Sequence, residues 1–278
     1  MPNIKMQFNI IGIGAWGPGF NNWRDLSLLL SSNESLNGNE TGVEQAASPR
    51  PEIIPANERR RAPLPVKLAV EAAWQASQAA GIDPKDLACV FASGLGDTDI
   101  TDYMCKMLNT ETMQLSPTKF HNSVHNAAAG YWTISTRCMQ AASSIAGFDE
   151  TASLALLEGV SQCVFENRPL LITLFDAPAA DIMKDLLKNI FPFAVAMIIV
   201  PKDSSVPAPG SCLFELEVSD QPADWNPLFN PALTALYQNN PAARILALLE
   251  CMAKNETGKT LKLPLSASTS ITLRALTT

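Results

Sequence analysis

Short apolar runs alternate with Ala-rich stretches of helical periodicity through the first 200 residues. That alternation restricts the chain to an α/β fold with a largely buried sheet. The runs at 6–13, 87–92, 142–146, 170–175 and 193–200 have the length and composition of strands. Gly12, Gly14, Gly17, Pro18 and Gly19 are expected to end the first of them. Val66, Ala69, Val70, Ala73 and Trp74 recur at helical spacing up to Ala80, and Gly81 fits a C-terminal cap. Asp97 or Thr98 caps a helix over 98–110, Ser116-Pro117-Thr118 reads as a turn, and 122–137 and 150–165 read as helices. Beyond residue 200, 212–218 alternates as a strand, 232–253 is helical, and 259–276 holds one or two strands. The chain thus divides into an α/β part over 1–200, with a polar excursion at 31–62, and a smaller part over 201–278 packed on the same sheet.

Composition narrows the function classes. Hydrophobic residues make up 47% of the chain and charged residues 17%, against about 25% charged in an average domain. The deficit points to apolar surface covered by a partner. The net charge of −7 argues against nucleic acid as that partner, because such binding rests on Lys and Arg neutralising phosphates. The one compact basic cluster, Arg59-Arg60-Arg61, is too small for that role and reads as a solvated turn or an ion-pairing site. Six scattered cysteines without a CxxC spacing carry no zinc or redox motif. No stretch is long and apolar enough to span a membrane, and the N-terminus lacks a signal-peptide pattern, so a cytoplasmic chain with reduced thiols is expected.

Several motifs can be weighed as chemistry. Gly12-x-Gly14-x-x-Gly17 matches a dinucleotide fingerprint in letters. Pro18-Gly19-Phe20-Asn21-Asn22 follows it, however, where the mechanism requires a helix to hold the pyrophosphate. His121 and His125, the only histidines, have i, i+4 spacing, but Asn122 stands where a zincin needs Glu and no third ligand is apparent. Local hydrogen bonds that set the turn into the following helix are the simpler reading. Ala92-Ser93-Gly94 lacks the first glycine of a serine-hydrolase elbow. No cofactor or metal is expected.

The stretch 142–165 is the most informative. A small-residue strand ends in Gly147-Phe148-Asp149, and an apolar helix starts at once. Nucleophiles sit at such turns because a helix N-terminus stabilises negative charge. Here the turn offers Asp149 and Glu150 instead of a thiol. Asp149 is a poor acyl carrier, since acyl–Asp is a mixed anhydride, and it is expected to cap the helix beginning at 150.

The order of these segments resembles the N-terminal half of β-ketoacyl synthases, over roughly residues 6–200. Ile11-Gly12-Ile13-Gly14-Ala15 resembles the family's opening strand and Gly-rich turn, and Phe91-Ala92-Ser93-Gly94 the end of the next core strand. Ser116-Pro117, Ala129-Gly130-Tyr131-Trp132-Thr133-Ile134 and Ser144-Ile145-Ala146 resemble the segments leading to the active site, and an ungapped count places the family's catalytic cysteine on Asp149. Arg59-Arg60-Arg61-Ala62-Pro63, the stretch Phe120 to Ala127 with Ser123, His125 and Asn126, and Ala155-Leu156-Leu157-Glu158-Gly159 are similar to the chain length factors of bacterial type II clusters, notably aryl polyene ones.

The resemblance implies a thiolase-like, layered α/β/α fold with a mixed, mainly parallel sheet, comprising one ketosynthase N-terminal half and a reduced remnant of the second. It implies no catalysis by the isolated chain, since the cysteine is replaced by Asp149 and no histidine follows His125. It further implies a heterodimer with a ketosynthase subunit, which also provides most of the docking for the acyl carrier protein, in fatty acid or polyketide synthesis. The dimer would form through Ala142, Ser143, Ser144, Ile145 and Ala146. An acyl tunnel would be lined from 103–112 and 128–135, with Met104, Met107, Tyr131 and Trp132 setting its depth. The same side chains also fit a plain core, and the sequence does not separate the two. The competing function is an independent thioester decarboxylase or hydrolase using Asp149, Glu150 and His125.

Overall fold

The computed structural model describes residues 4–32, 48–111, 114–206 and 210–277. Most of the polar excursion (33–47) lies outside the described residues, as does residue 112 of the expected tunnel lining. Eight strands form one sheet: β1 (Lys5–Trp16), β2 (Ala88–Ala92), β3 (Ala142–Ile145), β4 (Leu170–Asp176), β5 (Phe193–Pro201), β6 (Cys212–Ser219), β7 (Thr260–Pro264) and β8 (Ser270–Ala275). Their order is β3-β2-β4-β5-β1-β6-β8-β7. The helices are α1 (Trp23–Ser31), α2 (Ala56–Arg61), α3 (Leu64–Ala80), α4 (Thr98–Leu108), α5 (Pro117–Asn122), α6 (Ala127–Thr136), α7 (Thr151–Phe165), α8 (Lys184–Leu187), α9 (Thr234–Asn239) and α10 (Leu246–Ala253).

The α/β/α layering is as expected, with one core on each face of the sheet. Helix α7, with α1, α10 and the 3-10 segment Pro241–Ile245, covers one face; α3 and α6 cover the other. The sheet is mixed but not mainly parallel. β3–β2 and β2–β4 are parallel, whereas β4–β5, β5–β1, β1–β6, β6–β8 and β8–β7 are antiparallel. The expectation failed because strand length and apolarity show that a strand is buried on both faces, not which way its neighbour runs. Residues 212–275 extend the same sheet through β6, β8 and β7.

The first strand does not stop at its glycines. It runs to Trp16, with a bulge between Ile10 and Gly12. Before the bulge Met6, Phe8 and Ile10 face the α7 core; after it Ile13 and Ala15 do. The extra residue shifts the phase of the strand, so Gly12 and Gly14 turn toward α3. A Cβ on Gly12 would lie 2.6 Å from the Ala76 carbonyl oxygen, and one on Gly14 would lie 2.1 Å from that of Ala72. β5 matches this closeness. Phe193, Val195, Met197 and Ile199 face the α7 core, while the small Ala194 and Ala196 face α3. The glycines therefore admit the helix backbone, and no phosphate-binding loop exists at Gly12–Gly17. Gln75 of α3 stitches the contact by accepting from the Ala15 N–H at 3.1 Å and donating to the Asn21 carbonyl at 2.9 Å.

Other boundaries shift for local reasons. Ser116 caps α5 by accepting from the Lys119 N–H, so the expected turn is a helix start. The expected helix over 122–137 is broken: α5 ends at Asn122 and α6 begins at Ala127. The expected helix over 232–253 is interrupted at Pro241, where the chain tightens into a 3-10 segment between α9 and α10. Helix α3 and its left-handed Gly81 cap, α4 with Asp97 as cap, α7 and the strand pair β7–β8 lie where the sequence places them.

Gly14→Ala has no free space to enter and should cost at least about 2 kcal/mol of stability, as overpacking against backbone does. Gly130→Ala, inside α6 with nothing near its added Cβ, should be neutral or stabilising by up to about 1 kcal/mol. Urea unfolding of both variants checks the contrast.

Candidate functional site

The parallel strands β3, β2 and β4 all end at the same edge of the sheet, the position where open α/β sheets place their ligand sites. Three loops meet there: Ser93-Gly94-Leu95-Gly96 after β2, Gly147-Phe148-Asp149 after β3, and Asp176-Ala177 after β4. Asp176 is wholly buried. Its Oδ1 accepts from the Ser93 hydroxyl (2.7 Å) and the Leu95 N–H (2.9 Å); its Oδ2 accepts from the N–H groups of Ala242 (3.1 Å) and Gly94 (3.3 Å). Burial pushes its pKa up to about 6, against the pull of these four donors. The Ser93 hydroxyl also accepts from the Gly96 N–H, and the Ser93 carbonyl accepts from Nε2 of His125 at 3.1 Å.

The turn after β3 has the strand–turn–helix form of an elbow. Phe148 adopts φ 49°, a left-handed conformation that a bulky residue seldom enters. Buried Thr151 pins the turn: its hydroxyl accepts from the Gly147 N–H (2.9 Å) and donates to the Phe148 carbonyl (2.7 Å). A Cβ on Gly147 would meet the end of the Leu154 side chain at 2.2 Å, so a larger residue there would have to displace Leu154. Asp149 does not cap the helix. The residue preceding α7 is Glu150, and no side chain makes a capping bond there. Asp149 is half exposed, with Oδ1 4.0 Å from Nη2 of Arg244. The single turn of 3-10 helix at 148–150, inserted before α7, carries its carboxylate away from the first N–H groups of the helix.

The C-terminal part of the chain closes over this edge. Pro241, Ala242 and Ala243 are buried in the 3-10 segment against the turns. A Cβ on Gly94 would strike Pro241 at 2.7 Å and the Phe148 carbonyl at 2.8 Å. Arg244, from the same segment, lies between the rings of Trp225 and Tyr237, each 5.4 Å away, and donates to the Gln238 carbonyl at 3.0 Å.

The arrangement supplies structure rather than a nucleophile–base pair. His125 engages the Ser93 carbonyl and not its hydroxyl, which is committed to Asp176, so Ser93 and His125 do not form the start of a triad. No cysteine stands in the turn. Burial raises the thiols of Cys89 and Cys163 to about 12 and that of Cys251 to about 11, far from the reactive range. His121 is on α5 and hydrogen-bonds its neighbour Asn122, whereas His125 lies between α5 and α6, so the i, i+4 spacing does not place both on one helical face. Ser123 donates to the Phe120 carbonyl, and Asn126 precedes α6 without a side-chain capping bond.

The remaining sequence candidates separate by environment. Trp132 is fully buried in the α3–α6 core beside Phe91. Tyr131, on another face of α6, lines a groove of about 970 Å³ between α2, α5 and α6. Met104 and Met107 are half-buried on α4. Ala142, Ser143, Ser144 and Ile145 form β3, the sheet's end strand, paired among the described residues with β2 alone; Ala146 lies just past it. Asp176, Thr151 and Arg244 escaped the sequence reading. Asp176 had one visible signal, a carboxylate closing the otherwise apolar run 170–175 ahead of Ala-Pro. The other two depend on contacts with distant or irregular chain.

Asp176→Ala should cost on the order of 3–5 kcal/mol, because it strands four buried donors. Asp149→Ala should change stability by less than about 0.5 kcal/mol, as an exposed, loose ion pair does. The raised pKa of Asp176 also has a sign. The folded state holds that proton more tightly than the unfolded chain, whose carboxyl titrates near 3.8. This stabilisation is complete below about pH 4 and is lost as pH rises through about 6. Wild type should therefore lose stability relative to Asp176→Asn over that window in pH-resolved denaturation, and parallel curves would contradict the assignment.

A family model described as β-ketoacyl synthase, N-terminal domain, matches residues 34–262. No curated protein matches the chain in sequence. Among solved structures, a chain from the complex of the ketosynthase ApeO with its chain length factor ApeC, from Xenorhabdus doucetiae, is 16% identical with TM-score 0.69, covering 97% of this chain and 99% of that one. The ishigamide ketosynthase/chain length factor is 11% identical with TM-score 0.66, covering 98% and 100%. A β-ketoacyl synthase from Burkholderia phymatum STM815 is 11% identical with TM-score 0.64, again covering 98% and 100%. At these identities the structural likeness establishes a shared fold. The family match, spanning most of the sequence, establishes more: this chain is a member of the β-ketoacyl synthase N-terminal domain family.

Proposed function

We propose that the chain is a non-catalytic subunit of chain length factor type, which pairs with a ketosynthase in type II fatty acid or polyketide synthesis of the aryl polyene kind. One observation carries this reading: an elbow with its strained turn intact, bearing Phe148 and Asp149 where the chemistry needs a thiol, and covered by buried Pro241, Ala242 and Ala243. Claisen condensation requires a thiolate to carry the acyl chain and polar groups to stabilise the oxyanion. Asp149 offers a carboxylate in place of the thiol, and no histidine follows His125. The segment 201–278 is read as a reduced second half that packs against the elbow and supplies no histidine.

The partner would join at β3. Its outer edge leaves backbone groups available to a second sheet, and an edge strand of only four residues is short enough not to invite indiscriminate pairing. The low charge content fits a covered face. ApeO has a chain length factor as its partner, and the ishigamide protein is likewise a ketosynthase/chain length factor, which supports the same role for this chain. The growing acyl chain would run near Tyr131, with Met104, Met107 and Trp132 behind it, and the acyl carrier protein would dock mainly on the partner.

Mixed at micromolar concentration with the ketosynthase encoded alongside it, the chain should elute as one heterodimeric species, while Asp149→Cys alone should show no condensing activity. Elution as two species, or condensation by the isolated Asp149→Cys chain, would sink the reading.

A further inference from the structure

The groove between α2, α5 and α6 carries charge that its own walls do not neutralise. Its walls are largely apolar, including Val124, Ala127, Tyr131 and Ile134. Arg61 and Arg137 line it, and neither guanidinium makes a hydrogen bond or an ion pair with another described residue. Glu58 is the only carboxylate among the lining residues, and His121 adds a further nitrogen donor. Two uncommitted arginines against an apolar wall are conspicuous in a chain of net charge −7. Arg137 is also placed at a cost. It ends α6 with φ 56°, a left-handed position that usually falls to glycine. Glycine would adopt that conformation at less cost.

Helix α6, which walls the groove, also contacts β3. Ile134, in its wall, and Met139, just beyond it on the way to β3, are 77% and 94% exposed. A partner aligned on β3 would therefore reach it.

We propose that the groove seats a segment of the ketosynthase partner that presents a carboxylate beside an apolar side chain, the carboxylate meeting Arg61 and Arg137 and the apolar group lying on Val124 and Ile134. The inference rests on the heterodimer reading and adds the chemistry of the contact. Arginine suits it because its planar fork meets a carboxylate bidentately and is weakly hydrated.

The test is titration of the co-encoded ketosynthase into wild type, the Arg61→Gln/Arg137→Gln double variant and the Arg61→Glu/Arg137→Glu double variant, at two salt concentrations. Both arginine side chains are exposed, so the variants should fold, and equal melting temperatures confirm it. The neutral pair should weaken binding about tenfold and flatten its salt dependence, and the reversed pair should weaken it further. Wild-type affinity and salt dependence in both variants would overturn the groove contact while leaving the pairing intact. A wild-type chain that binds no ketosynthase would overturn both. A homodimer broken by the reversed pair would assign the groove to a second copy and overturn the proposed occupant.

Discussion

A single buried carboxylate holds the functional edge of this fold together. Asp176 closes β4, and its two oxygens draw in the turn after β2 and the first residues of the 3-10 segment Pro241–Ile245. Those segments are far apart in sequence, and only a group with several acceptor sites can satisfy them at one point. The consequence is architectural. With the Ser93–Gly96 turn held, His125 can rest on the Ser93 carbonyl. With Ala242 held, Arg244 stands between Trp225 and Tyr237 beside Asp149. The edge at which sheets of this kind bind ligands is thereby built from the chain's own backbone.

The sequence made some of this legible and hid the rest for identifiable reasons. Hydrophobic period and cap chemistry located α3, α4, α7 and most strands, because those signals are local. Gly12 and Gly14 were read as breaks, since glycine at a turn and glycine beneath a close helix look alike until Ala72 and Ala76 are known to approach. Strand direction was misjudged because both sides of β5 are apolar whichever way β1 and β4 run. Asp149 was expected to cap a helix. An intervening 3-10 turn, invisible as a pattern, moves its carboxylate toward Arg244. The two histidines share a helical spacing but not a helix, because the chain breaks between Asn122 and Ala127. Trp132 was weighed equally as tunnel wall and core, and it packs in the core beside Phe91.

Membership of the β-ketoacyl synthase N-terminal domain family gives these details their meaning. The elbow keeps its geometry and its pinned turn, through Thr151 and Gly147, yet carries no thiol. Pro241, Ala242 and Ala243 are buried against that turn. Among the described residues the surface also presents the β3 edge, exposed apolar side chains at Ile134 and Met139, and a groove lined by Arg61 and Arg137. On the proposed reading, these features meet the ketosynthase subunit.

On the proposed reading, β3 is the seam between this chain and its ketosynthase. Hydrogen exchange of the backbone amides over Ala142–Ile145, with and without the co-encoded ketosynthase, tests it most directly. The account predicts marked slowing of exchange at β3 in the mixture, with the β7 edge at the far end of the sheet unchanged. Unaltered exchange at β3 under conditions where the two proteins associate would contradict it.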